Sequence, residues 1–107
     1  MYLGEFEYLV LLAIVRLGDE AYAPSILQAL EEHADRSVTR GALYRTLDRL
    51  DHKDLLRWRV VVGNALRDDL PRRAYAVTAT GLASLRASHR AMSRMARGLE
   101  GVLRGSS

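Results

Sequence analysis

The sequence predicts a mainly α fold with a small β-hairpin, and three observations carry the prediction. Apolar residues recur at three- and four-residue spacing in four separate stretches. Two β-branched and aromatic segments interrupt them between residues 55 and 78. Threonines suited to N-capping, Thr39 and Thr78, stand before the third and fourth helical stretches. A chain of 107 residues suits one modest core, and 49% hydrophobic with 27% charged residues is the balance of a folded, soluble domain.

The first helix is read over residues 3–17, "LGEFEYLVLLAIVRL". Phe6, Leu9, Val10, Ala13, Ile14 and Leu17 give the helical spacing. Leu11, Leu12 and Val15 are apolar as well, so the helix is expected to bury more than one side, serving a core and a subunit interface. Gly18 ends it. A second helix lies within "DEAYAPSILQALEEHADR", residues 19–36. Pro24 suits its first position, where the missing N–H has no intrahelical partner. Ile26, Leu27 and Leu30 form its apolar stripe, and Glu31 and Glu32 face solvent.

The third helix follows in "TRGALYRTLDRLDHKDLL", residues 39–56. The Thr39 hydroxyl is expected to accept from a free backbone N–H. Leu43, Leu47 and Leu50 stand at i, i+4 and i+7 and form one inward face. Arg40, Gly41, Tyr44, Arg45, Asp48 and Arg49 fall on the other sides. Asp54 is expected to end the helix in a left-handed conformation, which Asp tolerates better than most residues.

"LLRWRVVV" and "RRAYAVT", with turn-like "GNALRDDLP" between them, read as a hairpin with a long loop. The loop carries Arg67, and Arg72 and Arg73 follow at its far end. Trp58 is assigned to core or hairpin packing. The last helix is expected from about 79 to 103. Leu82, Leu85, His89, Met92, Ala96, Leu99 and Leu103 step by three and four in turn, the narrow seam of a helix that pairs with another. His89 is the one ionisable residue in that seam.

Charge is segregated along the chain. Residues 1–35 hold one arginine against seven acids, whereas residues 36–107 hold all the other basic residues. Fifteen of the sixteen basic residues are arginine, the side chain suited to bidentate phosphate and guanine contacts. A high-GC genome would explain the arginine content but not the segregation. Without cysteine there is neither a disulfide nor a thiolate metal site. The longest apolar run, "YLVLLAIV", is too short to span a bilayer, and it follows an acidic rather than a basic start. A cytoplasmic location is therefore expected, with no membrane partner.

Helix, helix, capped helix, hairpin, long helix is the order of a winged helix-turn-helix, residues 1–78, with a C-terminal dimerisation helix and frayed tail, residues 79–107. The third helix, 39–52, would enter a major groove, and the hairpin, 57–77, would be the wing. The leucines would hold the third helix to the domain while its arginines and Tyr44 face DNA.

At these residues the sequence resembles the PadR family of bacterial transcriptional regulators. "GALYRTLDRLDHKDLL", then a hairpin and "YAVTATG", carry the likeness, as does the opening "LGEFEYLVLLAIVRLGDEAY". It covers roughly residues 3–90 and is similar to the short members with one C-terminal helix. The resemblance implies a homodimeric repressor of double-stranded DNA with a palindromic operator, often released by a small-molecule effector. The DNA residues of its third helix map onto Thr39, Arg40, Gly41, Tyr44 and Arg45. This chain departs from the family in three places. Asp54 stands where glycine is usual. Asp68 and Asp69 in "RDDLPRRAY" would repel phosphate at the wing tip. The last helix lacks the tryptophans with which some members hold a flat drug.

Two other classes compete. His33, His52 and His89 form no spaced ligand motif, and no Ser/His/Asp set or glycine-rich phosphate loop is visible, so neither an enzyme, a metal nor a cofactor is expected. A winged helix that binds protein instead of DNA, an anti-repressor module, would suit the acidic first third. It would have little use for arginines on the outer face of residues 40–49.

Overall fold

The computed structural model describes residues 3–62 and 71–105. Among the described residues, five helices and one hairpin follow in the order α1 (Glu5–Leu17), α2 (Ala23–Ala34), α3 (Arg40–His52), β1 (Leu56–Val61), β2 (Arg72–Val77), α4 (Ala79–Ala96) and α5 (Glu100–Leu103), with a 3-10 turn at Gly18–Glu20. This is the winged helix-turn-helix arrangement that the sequence predicts.

The core lies where the apolar faces of α1, α2 and α3 meet. Val10, Leu11 and Ile14 of α1, Ile26 and Leu30 of α2, and Leu43, Leu47 and Leu50 of α3 are all buried. Leu55 and Leu56 at the start of the hairpin, Tyr75 of β2 and Leu85 of α4 close it. Gly18 ends α1 with φ of 59°, as its composition suggests. Pro24 occupies the second rather than the first position of α2, because Tyr22 is the N-cap. The Tyr22 N–H donates to the Ser25 hydroxyl at 3.0 Å, which satisfies an N-terminal donor without a capping side chain at Tyr22 itself.

Thr39 caps α3 as expected, its Oγ1 accepting from the Ala42 N–H at 3.1 Å. Asp54 has φ of 63°, the left-handed conformation read from the sequence, and the following Leu55 N–H returns to the Leu50 carbonyl at 2.9 Å. That turn aims the chain straight into β1. The two strands pair antiparallel with Leu56 opposite Val77, Trp58 opposite Tyr75 and Val61 opposite Arg72. The hairpin is tied to the helices by the Tyr75 N–H, which donates to the Ala21 carbonyl at 2.9 Å.

α4 begins against the α3–β1 junction. Thr78 Oγ1 accepts from the Gly81 N–H at 2.9 Å and donates to the Asp54 carbonyl at 2.7 Å. Gly81 comes so close that a Cβ there would lie 2.0 Å from the Leu55 carbonyl oxygen. Farther on, Ser88 Oγ accepts from the Leu3 N–H at 3.1 Å, which holds α4 alongside the start of α1.

The last helix corrects the sequence reading. It does not run to 103 but stops at Ala96, and Gly98, with φ of 86°, turns the chain before α5. Leu99 and Leu103 therefore lie beyond the break and not on α4. Leu85 is also removed from the predicted seam, because it is buried in its own domain. The heptad spacing missed both points: it registers apolar positions but neither the glycine that interrupts them nor the domain that one of them serves. Among the described residues no helix is long and apolar enough to cross a membrane.

Candidate nucleic-acid interface

α3 presents two polar rows beside its buried leucines. One row is Arg40, Tyr44 and Asp48, at four-residue spacing, and it faces the hairpin. Together with Tyr22, Ala23 and Pro24 at the start of α2, and with Pro71, Arg72, Arg73 and Tyr75, this row lines an open cleft of about 1000 Å³. The residues meet because α3 is pinned by its leucines, and β2 is pinned at Ala21 on one side and at β1 on the other. Four residues singled out from the sequence, Arg40, Tyr44, Arg72 and Arg73, thus share one concave surface.

The wing arginines are held by aromatic rings. The Arg72 guanidinium lies 5.0 Å from the centroid of Tyr22, and that of Arg73 lies 4.0 Å from the centroid of Trp58. Such contacts stiffen a long side chain while leaving its N–H groups free for an anion. Trp58 is itself fixed by its indole N–H, which donates to Asp51 Oδ2 at 3.3 Å. Its role is hairpin packing, one of the two expected for it. Tyr75 lies beneath the cleft. Its hydroxyl is buried and has no hydrogen-bond partner among the described residues. Burial pushes its phenol up from the usual tyrosine value, with the nearby Arg73 opposing.

The second row of α3 is Gly41, Arg45 and Arg49. The Arg45 guanidinium folds back over Gly41, 3.7 Å from where a Cβ would stand. Arg49 turns away from the cleft. Its Nε lies 3.4 Å from Glu7 Oε2 of α1, and its Nη2 lies 3.4 Å from Thr46 Oγ1. Lys53 Nζ donates to the same Glu7 oxygen at 2.8 Å, and Glu7 Oε1 accepts from the Gly4 N–H at 3.1 Å. Burial pushes the Glu7 carboxyl up. The Lys53 ammonium, the Gly4 N–H and the Arg49 guanidinium outweigh it, and the carboxyl sits below its ordinary value. Arg36, just before α3, pairs with Glu5.

Thr39 is spent on its cap. Arg67, Asp68 and Asp69 lie outside the described residues. Of the predicted pairing seam, Leu82, His89 and Met92 are exposed on α4, Ala96 is half-buried, and Leu99 and Leu103 are exposed beyond the break.

Residues 11–87 match the transcriptional regulator PadR-like family. The chain belongs to that family. A PadR-like transcription factor from Bacteroides fragilis is 30% identical, with a TM-score of 0.69 over 91% of this chain and 88% of its own. A PadR-like regulator from Bacillus cereus is 21% identical, with a TM-score of 0.74 over 94% of this chain and 93% of its own. Bacillus subtilis PadR, solved in complex with operator DNA, is 19% identical, with a TM-score of 0.64 over 77% of this chain and 45% of its own. No curated protein sequence matches the chain. PadR-like membership makes the chain a transcriptional regulator and not an enzyme.

Within this PadR-like fold, sequence reasoning missed Tyr22, Tyr75 and Glu7. Tyr22 is the residue before a helix and belongs to no apolar stripe. Tyr75 could be placed under the cleft only with the strand register in hand. Glu7 reads as one more acid of an acidic segment. A faint signal was available: it stands one helical turn before Leu11, on a helix with two buried sides.

Proposed function

We propose that the chain is a sequence-specific DNA-binding repressor that acts as a homodimer on a palindromic operator. α3 enters the major groove, with Arg40, Tyr44 and Arg45 toward base edges and phosphates, and Arg72 and Arg73 of the wing meet the flanking backbone. The observation that carries this reading is the cleft, in which cations from α3 and β2 converge while aromatic rings hold two of them. The operator complex of Bacillus subtilis PadR, whose fold this chain shares, supports it. Exposed apolar residues on α1 and α4 support a second copy as partner, and a small-molecule effector would act through that assembly. A soluble protein of the cytoplasm fits this role.

Selection of bound sequences from a random duplex pool tests the reading. The expected result is one palindrome, and Arg45→Ala should relax one position of it at a cost of about 1–3 kcal/mol. Recovery of no sequence, with no salt-dependent retention on duplex DNA, would favour a protein-binding module instead.

A further inference from the structure

Glu7 is remote from the cleft, yet it governs the two cations at the far end of the recognition helix. Its side chain is 9% exposed, and one carboxylate oxygen receives both Lys53 and Arg49. Those partners are not buried: 53% of the Arg49 side chain and 35% of that of Lys53 remain accessible. Arg49 also lies on the same row of α3 as Arg45, one turn farther on. Arg45 makes no ion pair among the described residues. One row thus carries a free arginine followed by a neutralised one.

We propose that Glu7 is a positioning residue for DNA binding, a fixed counter-charge on α1 that withholds Arg49 and Lys53 from phosphate. The proposal rests on the reading of α3 as the DNA-facing helix. Each phosphate neutralised by a mobile cation adds affinity for any sequence, and discrimination is the ratio of specific to non-specific binding. Two exposed cations at the end of α3 would raise the non-specific share. Held by a carboxylate that is itself fixed by the Gly4 N–H, they contribute to the docking of α3 on α1 instead. The charge offered to DNA is then confined to the first turns of α3 and to the wing.

The test is the dependence of log K on log salt, for random duplex and for the selected operator. Glu7→Gln keeps an acceptor for the Gly4 N–H and releases the two cations. Its slope should steepen by about one to two units, since each added phosphate contact contributes about 0.9. Binding to random duplex at low salt should tighten at least several-fold, and the operator preference should fall. Adding Arg49→Gln and Lys53→Gln to that variant should restore the original slope. In the wild-type background, the same two changes should leave the slope unaltered. A folded Glu7→Gln protein with the wild-type slope overturns the proposal. If Glu7→Gln does not fold, the wild-type background decides: a shallower slope in Arg49→Gln or Lys53→Gln overturns it, and an unchanged slope sustains it. Wild-type protein that does not bind duplex at all removes the DNA reading, and this proposal with it. Wild-type protein that binds well sets the two failures apart.

Discussion

Tyr75 carries a buried hydroxyl with no partner among the described residues, in the floor of a cleft lined by charge. A buried polar group left unsatisfied costs about 1–3 kcal/mol, whereas the ring beneath it contributes its packing in either form. Tyr75→Phe should therefore leave the urea midpoint unchanged or raise stability by up to about 1 kcal/mol. A loss of that size would mean that the hydroxyl is hydrogen-bonded after all, to Arg73 or through water. Glu7 offers the opposite case, a partly buried charge that is fully engaged. Its folded pKa is depressed, so the stability it contributes is present above the unfolded value of about 4.3 and is lost as pH falls through the folded one. Unfolding free energies followed from pH 7 into acid should show wild type losing its advantage over Glu7→Gln and the two curves converging. Parallel curves would deny that the carboxylate is engaged. At this scale the sequence was legible where a residue acts on its own backbone. Thr39 and Thr78 cap, and Asp54 turns left-handed, because those roles are set by neighbours within a few positions. Glu7 with Lys53, Tyr22 with Arg72 and Trp58 with Arg73 were not legible, because each joins different elements.

The elements follow from local rules, and their joints do not. α1, α2 and α3 form where the apolar spacing puts them, and the hairpin forms where β-branched residues cluster. The start of α4 is set by something closer, the contact of Gly81 with the Leu55 carbonyl. Alanine is favoured over glycine inside a helix by about 1 kcal/mol, so propensity alone makes Gly81→Ala stabilising. A methyl 2.0 Å from a backbone oxygen must instead push α4 off the α3–β1 junction. Overpacking of this kind costs about 1–3 kcal/mol, occasionally more, and it wins because backbone cannot give way as a side chain can. Gly41→Ala is the control, since its methyl would meet only the Arg45 guanidinium at 3.7 Å. Thermal unfolding should show Gly81→Ala lowered and Gly41→Ala unchanged or raised. Equal shifts would mean that the α4 contact carries no weight. The end of α4 teaches the same lesson from the other side. A heptad count continues through Gly98 because leucines recur beyond it, but a residue at φ of 86° cannot belong to the helix.

At the scale of the whole molecule, large apolar side chains stand exposed on α1 and the end of α4, and none of these lines the polar cleft. Leu12 is 40% exposed, Val15 51%, Met92 50% and Met95 79%, and Leu99 and Val102 follow beyond the break. A contiguous exposed apolar patch of more than roughly a few hundred Å² is rare on a monomer and marks an interaction site. A second copy is the expected cover. In a two-fold dimer each residue acts twice, so one charge placed in the contact is felt at two sites. Met92→Glu, on the exposed side of α4, should convert a dimer in sedimentation at micromolar concentration into a folded monomer. Leu85→Glu should behave differently, because Leu85 is buried within its own domain and its loss unfolds the chain rather than dissociating it. The monomeric Met92→Glu protein should keep its helix content and its salt-dependent attraction to random duplex, which arise within one chain. It should lose operator affinity, because a palindrome is bound by two half-sites held at a fixed spacing. Wild-type protein that sediments as a monomer in every condition would remove the dimer, and with it the reason to expect a palindrome.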